Sequence, residues 1–379
     1  MNKVNDCYNG GCLVKKVLCI VGSMDAGGAE TFLMKMYRTI DKTKYQMDFG
    51  VTRPGIYDEE IKRLGGKIHI VTPKTKGMYK SFKSIRDIVR ENNYKYVMRI
   101  SQNSISSIEL YAAKRGGASR TIYRSSNSQA CGGKIESIMH KLCLTLSKHI
   151  PDMCIAPSTE AAEFMFGKNC VVNGKAHLLH NAIDLNVYTY KDEWRKEARK
   201  ELGVENKFVL GHVGRFNIQK NHSFLIDVFA EIHKRIKDTR LVLVGTGELT
   251  DSIKTKVKEL DLEDAVIFSG MRKDIPQILC AMDIFVFPSL FEGLPNTVVE
   301  AQATGLPCII SDKITREAKI TQNVFYLPID NVNLWCKKIA EIMDDKNILR
   351  KKHNDEFKES GYDIESAANK FVQLVFGEE

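Results

Sequence analysis

The stretch FEGLPNTVVEAQATGLP, residues 291–307, sets Glu292 ahead of a Gly-Leu-Pro-Asn turn and Glu300 just inside the helix that the following residues predict. An acid near a helix N-terminus offsets the macrodipole by ~0.3–1 kcal/mol, which accounts for one of the pair without any function. Two acids around one helix start, together with the free backbone amides of the 293–298 turn, point to a ligand. Arg215 and Lys220 follow the apolar run VLGHVG closely, which brings two cations to the same sheet edge. A diphosphate needs that combination of N–H donors and positive charge, both to hold its oxygens and to neutralise it as a leaving group. A solvated basic loop explains either cation alone; it is a poorer account of both together with the amides.

These residues must be positioned by strands and helices, and the chain supplies them in a regular rhythm. Short apolar, β-branched runs (KVLCIVG, QMDFGVT, GKIHIVT, KYVMRIS, RTIYRSS) alternate with helical patterns such as AETFLMKMYRTI, the alternation of a doubly wound parallel sheet. After HLLHNAIDL (177–185) and the charged connector KDEWRKEARKELG, a second series begins: KFVLGHVGR, RLVLVGTG, AVIFSG, DIFVFPS and PCIIS. Each run is short and almost continuously apolar, as strands covered on both faces are. The predicted class is α/β, with two Rossmann-like, doubly wound domains facing a central cleft. They span 1–185, with a polar extension at 1–15, and 186–362. The tail 363–379 reads as an amphipathic helix, free to pack back on the first domain. For 379 residues, two domains is also the expected number.

In such sheets ligands bind beyond the carboxyl ends of the strands. Glycines cluster there: GSMDAGGAE with Gly27 and Gly28, GRFNIQKN, GTGEL with Gly245 and Gly247, and FEGLPN with Gly293. Each one alone is explained by a tight turn; four such loops at strand ends favour close approach to a ligand. The loops lack a GxGxxG dinucleotide fingerprint, since position 250 is threonine, and lack GxxxxGK[ST] and GxSxG. No DxD carboxylate pair is present, so no metal is expected to hold the ligand. Cys7 and Cys12 have no second pair at ligand spacing, and the ten cysteines read as reduced core residues. No apolar run reaches the ~18 residues of a membrane span and the start has no signal-peptide core, so a cytoplasmic location is expected.

HNAID (180–184), GHVGRFNIQKN (211–221), LVGTGEL (243–249) and the E-x7-E element EGLPNTVVE (292–300), with GGAE (27–30), in combination resemble the retaining nucleotide-sugar glycosyltransferases of family 4. These have the GT-B fold. The resemblance runs over nearly the whole chain and looks most like the branch that builds bacterial capsule and exopolysaccharide. It implies that Glu300 accepts hydrogen bonds from a ribose diol and that the amides of Leu294, Asn296, Thr297 and Val298 take phosphate oxygens; Pro295 has no N–H. Arg215 and Lys220 would stabilise the departing diphosphate, and Glu292 would lie by the transferred sugar. Met271 and Arg272, in SGMRKD, would cover the base, while Gly27, Gly28, Gly245 and Gly293 approach the donor. The implied activity is metal- and cofactor-independent transfer of a hexose or N-acetylhexosamine from a nucleotide diphosphate sugar, uridine being the expected base, to a glycan growing on a lipid carrier. Retention of configuration is implied by the family alone. A GT-B epimerase or phosphorylase would share the fold, but GGAE, GRFNIQKN and E-x7-E together argue against it. The non-enzyme alternative is a nucleotide-sugar-binding protein that has lost catalysis, and the presence of Arg215, Lys220, Glu292 and Glu300 counts against that.

The first domain departs from the family pattern where the acceptor is expected. Relatives often carry histidines in the equivalents of IYRSSNS and RISQNS; in this chain Arg124, Ser125, Ser126 and Asn127, and Gln102 and Asn103, stand instead. Asn103, Ser126 and Asn127 are candidate acceptor-side contacts, with loop capping as the ordinary explanation. HNAID has Ala182 where glycine is common, with His180 and Asn181 on the hinge side. Charge is also uneven: residues 1–185 carry +12 and the remainder −3. An acceptor on a polyprenyl diphosphate in an anionic leaflet explains that placement, which nucleotide binding alone does not. In KTKGMYKSFKSIR (74–86), Lys74, Lys76, Lys80, Lys83 and Arg86 flank Met78, Tyr79 and Phe82, a stretch suited to an anionic membrane surface. The expected partners are the donor, the lipid-linked glycan and that surface, at the inner face of the plasma membrane, with no nucleic acid.

Overall fold

The computed structural model describes residues 14–25, 27–126, 134–345, 350 and 353–377, with backbone alone at 134–137 and 139. The chain divides into two compact units, 1–180 with 364–379, and 181–363. The first is built on a parallel sheet of β1 (Lys15–Ile20), β2 (Tyr45–Val51), β3 (Ile68–Ile70), β4 (Tyr96–Ser101), β5 (Arg120–Ser125), β6 (Met153–Ala156) and β7 (Ala176–Leu178). Their order is β3-β2-β1-β4-β5-β6-β7. Helices α1 (Gly28–Thr39), α2 (Asp58–Arg63), α3 (Met78–Glu91), α4 (Ser107–Arg115), α5 (Lys134–His149) and α6 (Thr159–Phe166) make the crossovers. Right-handed connections put α1 and α2 on one face and α3 to α6 on the other. Val17, Leu18, Cys19 and Ile20 of the central β1 are all buried, which is why that strand reads as an unbroken apolar run.

In the second unit α7 (Asp192–Leu202) leads into β8 (Phe208–Val213), α8 (His222–Arg235), β9 (Thr239–Val244), α9 (Thr250–Glu259), β10 (Val266–Gly270), α10 (Ile275–Ala281) and β11 (Ile284–Phe287). Then follow α11 (Asn296–Ala303), β12 (Cys308–Ser311), β13 (Val324–Leu327), α12 (Val332–Asp344) and α13 (Asn354–Glu359). The sheet order β10-β9-β8-β11-β12-β13 is that of a nucleotide-binding Rossmann sheet. Its winding reverses between β8 and β11. Strand faces alternate between two cores: Leu210, Leu241, Val286 and Ile309 pack with Trp335 on one side, and Val209, Val242, Phe285 and Ile310 with Leu279 on the other.

The change of unit falls at 180/181 instead of after 185. Ile183 N donates to Tyr362 O (2.9 Å), and Ile183 packs with Val299, Phe357 and Tyr362, so the segment after His180 is anchored in the second unit. The final helix, α14 (Ile364–Phe376), belongs to the first unit. Phe371 meets Phe32 of α1 edge-on (6.3 Å), and Phe376 sits against Tyr45 (4.8 Å) and Tyr96 (5.0 Å). Strands β6, β7 and β13 do not stand out in the sequence; MCIA, AHL and VFYL are only three or four residues long and too short to show a period. No helix among the described residues is long and apolar enough to cross a membrane.

Candidate functional site

Arg215 and Lys220 leave the end of β8, Glu292 leaves the end of β11, and Glu300 lies in α11, so all four gather at the reversal of the second sheet. Gly214 N donates to Val244 O (2.9 Å) and Phe216 N to Thr246 O (3.1 Å), which lays the 214–217 loop against the one that follows β9. The Asn217 side chain accepts from Lys220 N (3.1 Å), and Asn221 turns left-handed at φ 55° to start α8. Leu290 N donates to Gln219 O (2.8 Å) and Gln219 Nε2 to Phe291 O (2.9 Å). These bonds strap the β8 and β11 loops together. As a result Lys220 Nζ stands 2.6 Å from Glu292 Oε1 and over the Phe287 ring at 4.6 Å. Arg215 is different: its side chain is 72% exposed and 3.4 Å from Glu248 Oε2, an exposed pair of little strength.

Pro295 caps α11. Val298 N donates to Pro295 O (3.1 Å), so the opening turn already uses the Val298 amide, one of the four expected to face a ligand. The amides of Leu294, Asn296 and Thr297 have no backbone partner among the described residues, and Thr297 Oγ1 is buried without a hydrogen bond. Glu300 accepts a hydrogen bond from the Tyr188 hydroxyl. Burial first, and the carboxylate second, push the Tyr188 phenol well up, so it remains a donor. No sequence signal singled out Tyr188 or Gln219, because each acts through one tertiary contact.

Beside these loops is a cavity of ≈ 380 Å³ lined by Val213, Gly214, Arg215, Val244, Gly245, Thr246, Met271, Arg272 and Ile275. Gly245 has φ 130°, and a Cβ there would collide with Gly214 O; only glycine lets the two loops touch. Met271 stands at the rim, 78% exposed. Arg272, expected to cover a ring face, lines the same cavity and is clamped by Glu201 and Asp274 at 2.6 Å each. Its hydrogen bonds hold both carboxyl groups below their usual range. Under the 214–220 loop are two buried imidazoles, His212 and His222, that no sequence signal singled out. His212 Nδ1 bonds Val286 O (2.9 Å), and His222 stacks on Phe216 at 4.0 Å. Burial lowers both, His222 to about 4 with the Lys220 charge adding to it, so both are neutral.

In the first unit Gly27 caps α1 and Gly28 begins it, after β1. Asn103 is used within its own loop: Oδ1 accepts from Ser106 Oγ (3.2 Å), and its carbonyl accepts from the Tyr123 hydroxyl. Ser126 N donates to Ser101 O (3.1 Å). Asn127 lies outside the described residues. Arg124 is buried in the core with its guanidinium 3.6 Å over the Phe32 ring. Burial brings it down to about 9. Ala182 has no positive φ and is buried; His180 Nδ1 bonds Pro157 O at 2.7 Å. Lys74 is drawn inward to Glu109 (3.0 Å) and Ser106 Oγ (2.9 Å), and Phe82 packs against the core, so neither serves the exposed surface expected of 74–86. Among the described residues no three His, Cys, Asp or Glu side chains group as metal ligands.

A family model described as glycosyl transferases group 1 matches residues 194–363. EpsF of Bacillus subtilis (strain 168), provisionally named a glycosyltransferase, is 32% identical over 363 residues, covering 93% of this chain and 94% of EpsF. The Escherichia coli UDP-Gal:alpha-D-GlcNAc-diphosphoundecaprenol alpha-1,3-galactosyltransferase is 32% identical over 209 residues, 53% of this chain and 54% of that protein. Among solved structures, Anabaena Alr3699/HepE in complex with UDP superposes with a TM-score of 0.79 at 18% identity, covering 96% of this chain and 100% of that one.

Proposed function

The chain belongs to the glycosyl transferases group 1 family and has the GT-B fold, and from that premise we propose that it is a retaining, metal-independent transferase of family 4. It moves a hexose or N-acetylhexosamine from a UDP-sugar to a lipid-linked glycan in exopolysaccharide assembly, at the inner face of the plasma membrane. The observation that carries this reading is the convergence of Arg215, the Lys220–Glu292 pair and the amides of Leu294, Asn296 and Thr297 at the start of α11 at one strand-end reversal. The names of the similar EpsF and of the Escherichia coli galactosyltransferase supply the polysaccharide and lipid-diphosphate context.

In this assignment the base enters the cavity beside Gly245 and Met271, and the ribose diol donates to Glu300, which Tyr188 orients. The diphosphate meets the amides of Leu294, Asn296 and Thr297 and the Thr297 hydroxyl. Arg215 and Lys220 neutralise the charge that grows on the leaving phosphate as the bond from sugar C1 to phosphate oxygen breaks. The acceptor oxygen attacks C1 from the same face, its proton passes to the departing phosphate oxygen, and UDP is released. Glu292, held by Lys220, stands by the sugar as an electrostatic partner of the oxocarbenium charge.

A thermal-shift screen of nucleotide sugars tests the donor, since a ligand at 100 times its Kd stabilises by ~2.7 kcal/mol. Uridine diphosphate sugars are expected to raise the melting temperature, and indifference to all of them overturns the assignment. UDP release with acceptor should keep its rate in excess EDTA; a loss restored by Mg²⁺ would show that a metal ion, and not Arg215 with Lys220, neutralises the leaving diphosphate.

A further inference from the structure

The first unit carries an apolar stripe that nothing among the described residues covers. On α5, Ile138, Leu142 and Leu146 recur every fourth residue, so they fall on one line of the helix, and they are 58, 70 and 41% exposed. The other side of the helix is firmly seated. His140 is buried, stacks on Phe164 of α6 at 4.3 Å and accepts from Ser104 N (3.1 Å); Ser147 Oγ donates to Met165 O (2.7 Å). The stripe therefore faces outward by construction. It continues on the same face of the sheet through the exposed Tyr111 of α4, whose ring is 6.1 Å from Phe82 of α3, and the exposed Met78 and Tyr79 in the first turn of α3. That face is basic: Lys76, Lys80, Lys83 and Lys141 are exposed and make no ion pair among the described residues.

We propose that α5 is a membrane-docking helix, lying in the plane of an anionic phospholipid surface with Ile138, Leu142 and Leu146 below the headgroups and the four lysines over the lipid phosphates. This rests on the reading that the acceptor is lipid-linked. A single line of apolar side chains on a convex helix suits an interface ~5–10 Å deep and offers no groove to a peptide. A second copy of the chain is the less fitting occupant, because pairing these faces would bring like charges together, whereas an anionic leaflet complements them.

The full chain is tested by co-sedimentation with vesicles of phosphatidylcholine alone and of equal parts phosphatidylcholine and phosphatidylglycerol. Binding is expected only to the anionic vesicles and to fade towards ~0.5 M salt. The double variant Leu142→Gln, Leu146→Gln should weaken it by about tenfold or more. Replacing Lys76, Lys80 and Lys83 with glutamate should weaken it further, since each lysine near such a surface contributes about fivefold. Leu142→Trp should retain binding and show blue-shifted emission on the vesicles. UDP binding, which belongs to the other unit, checks that every variant is folded. Unchanged vesicle binding by the double leucine variant overturns the proposal, as does a self-association in solution that the same double variant abolishes. Vesicle binding without transfer to any lipid-linked acceptor would sink the acceptor assignment and leave the docking helix standing; transfer to a water-soluble acceptor without vesicle binding would do the reverse.

Discussion

Glu292 and Lys220 stand 2.6 Å apart, so under the proposed function a diphosphate would meet a lysine whose charge is already half answered and a carboxylate that repels it. Removing the carboxylate charge should therefore not weaken nucleotide binding. Glu292→Gln is expected to bind UDP as tightly as the parent or a few-fold tighter, while its single-turnover rate falls by about 100-fold if the carboxylate acts on charge that develops only at the transition state. Parallel losses of UDP affinity and rate would mark Glu292 as a structural anchor of the loop instead. Tyr188 should behave in the opposite way. Its hydroxyl holds Glu300, and a hydrogen bond to a charged group is worth about 1.5–3 kcal/mol; Tyr188→Phe should weaken UDP by roughly ten- to a hundredfold with kcat little changed. Calorimetry of UDP set beside saturating rates separates the two, and a lowered kcat at unchanged affinity would refute the positioning role. The acids and cations of this site were legible in the sequence because residue type and spacing carry their chemistry. Tyr188, the consumed Val298 amide and the clamped Arg272 were not, since a partner supplied by a distant segment leaves no mark on the local pattern.

Among the elements, the loops after β8 and β9 depend on one position where no side chain fits. Gly245 has φ 130° and its missing Cβ points at Gly214 O. Gly245→Ala must both adopt a conformation costing about 1–3 kcal/mol and push the Arg215 loop away, so UDP binding should fall by more than tenfold even where the protein remains folded; unchanged binding would show that the loops need not touch. At the other end of the chain α14 closes the first unit through Phe371 and Phe376. Ending the chain at Asp363 should expose the apolar faces of α1 and β4 and destabilise that unit, leaving UDP affinity as it was. Both expectations follow from elements that the sequence displayed clearly: buried strands such as β1 and β11 carry the unbroken apolar runs VLCI and IFVF, and α14 is an evident amphipathic helix. The partner of α14 was left open, because its apolar stripe is satisfied equally by any core. In α3, periodicity sorted the residues less well than the structure does: Phe82 joins Ile85 and Val89 on the inward side, and only the first turn keeps its apolar residues outside.

For the whole molecule, two units with separate cores should not melt as one, since two-state behaviour commonly fails in chains of more than one domain. Under the proposed function each unit has its own lever, UDP for the second and α14 for the first, so two transitions can be assigned by which one each lever moves. The buried His222 supplies a third lever that belongs to the second unit alone. Its pKa falls from 6.5 to about 4 in the folded chain, through burial and then the Lys220 charge. Below pH 6.5 the unfolded chain therefore takes up a proton that the folded one refuses. Stability from this residue is complete above about pH 6.5 and is lost as the pH drops towards 4, by up to about 3 kcal/mol at 1.36 kcal/mol per unit. His212, shifted the same way, steepens the loss. Calorimetric scans between pH 7 and 4 should show the UDP-sensitive transition moving down, while His222→Phe, which keeps a flat ring against Phe216 and cannot titrate, should flatten that movement and leave the α14-sensitive transition where it was. A His222→Phe protein whose UDP-sensitive transition falls with pH as steeply as the parent's would refute the neutral-histidine assignment and shift the acid sensitivity to the carboxylates paired with Arg272, which are held below their usual range.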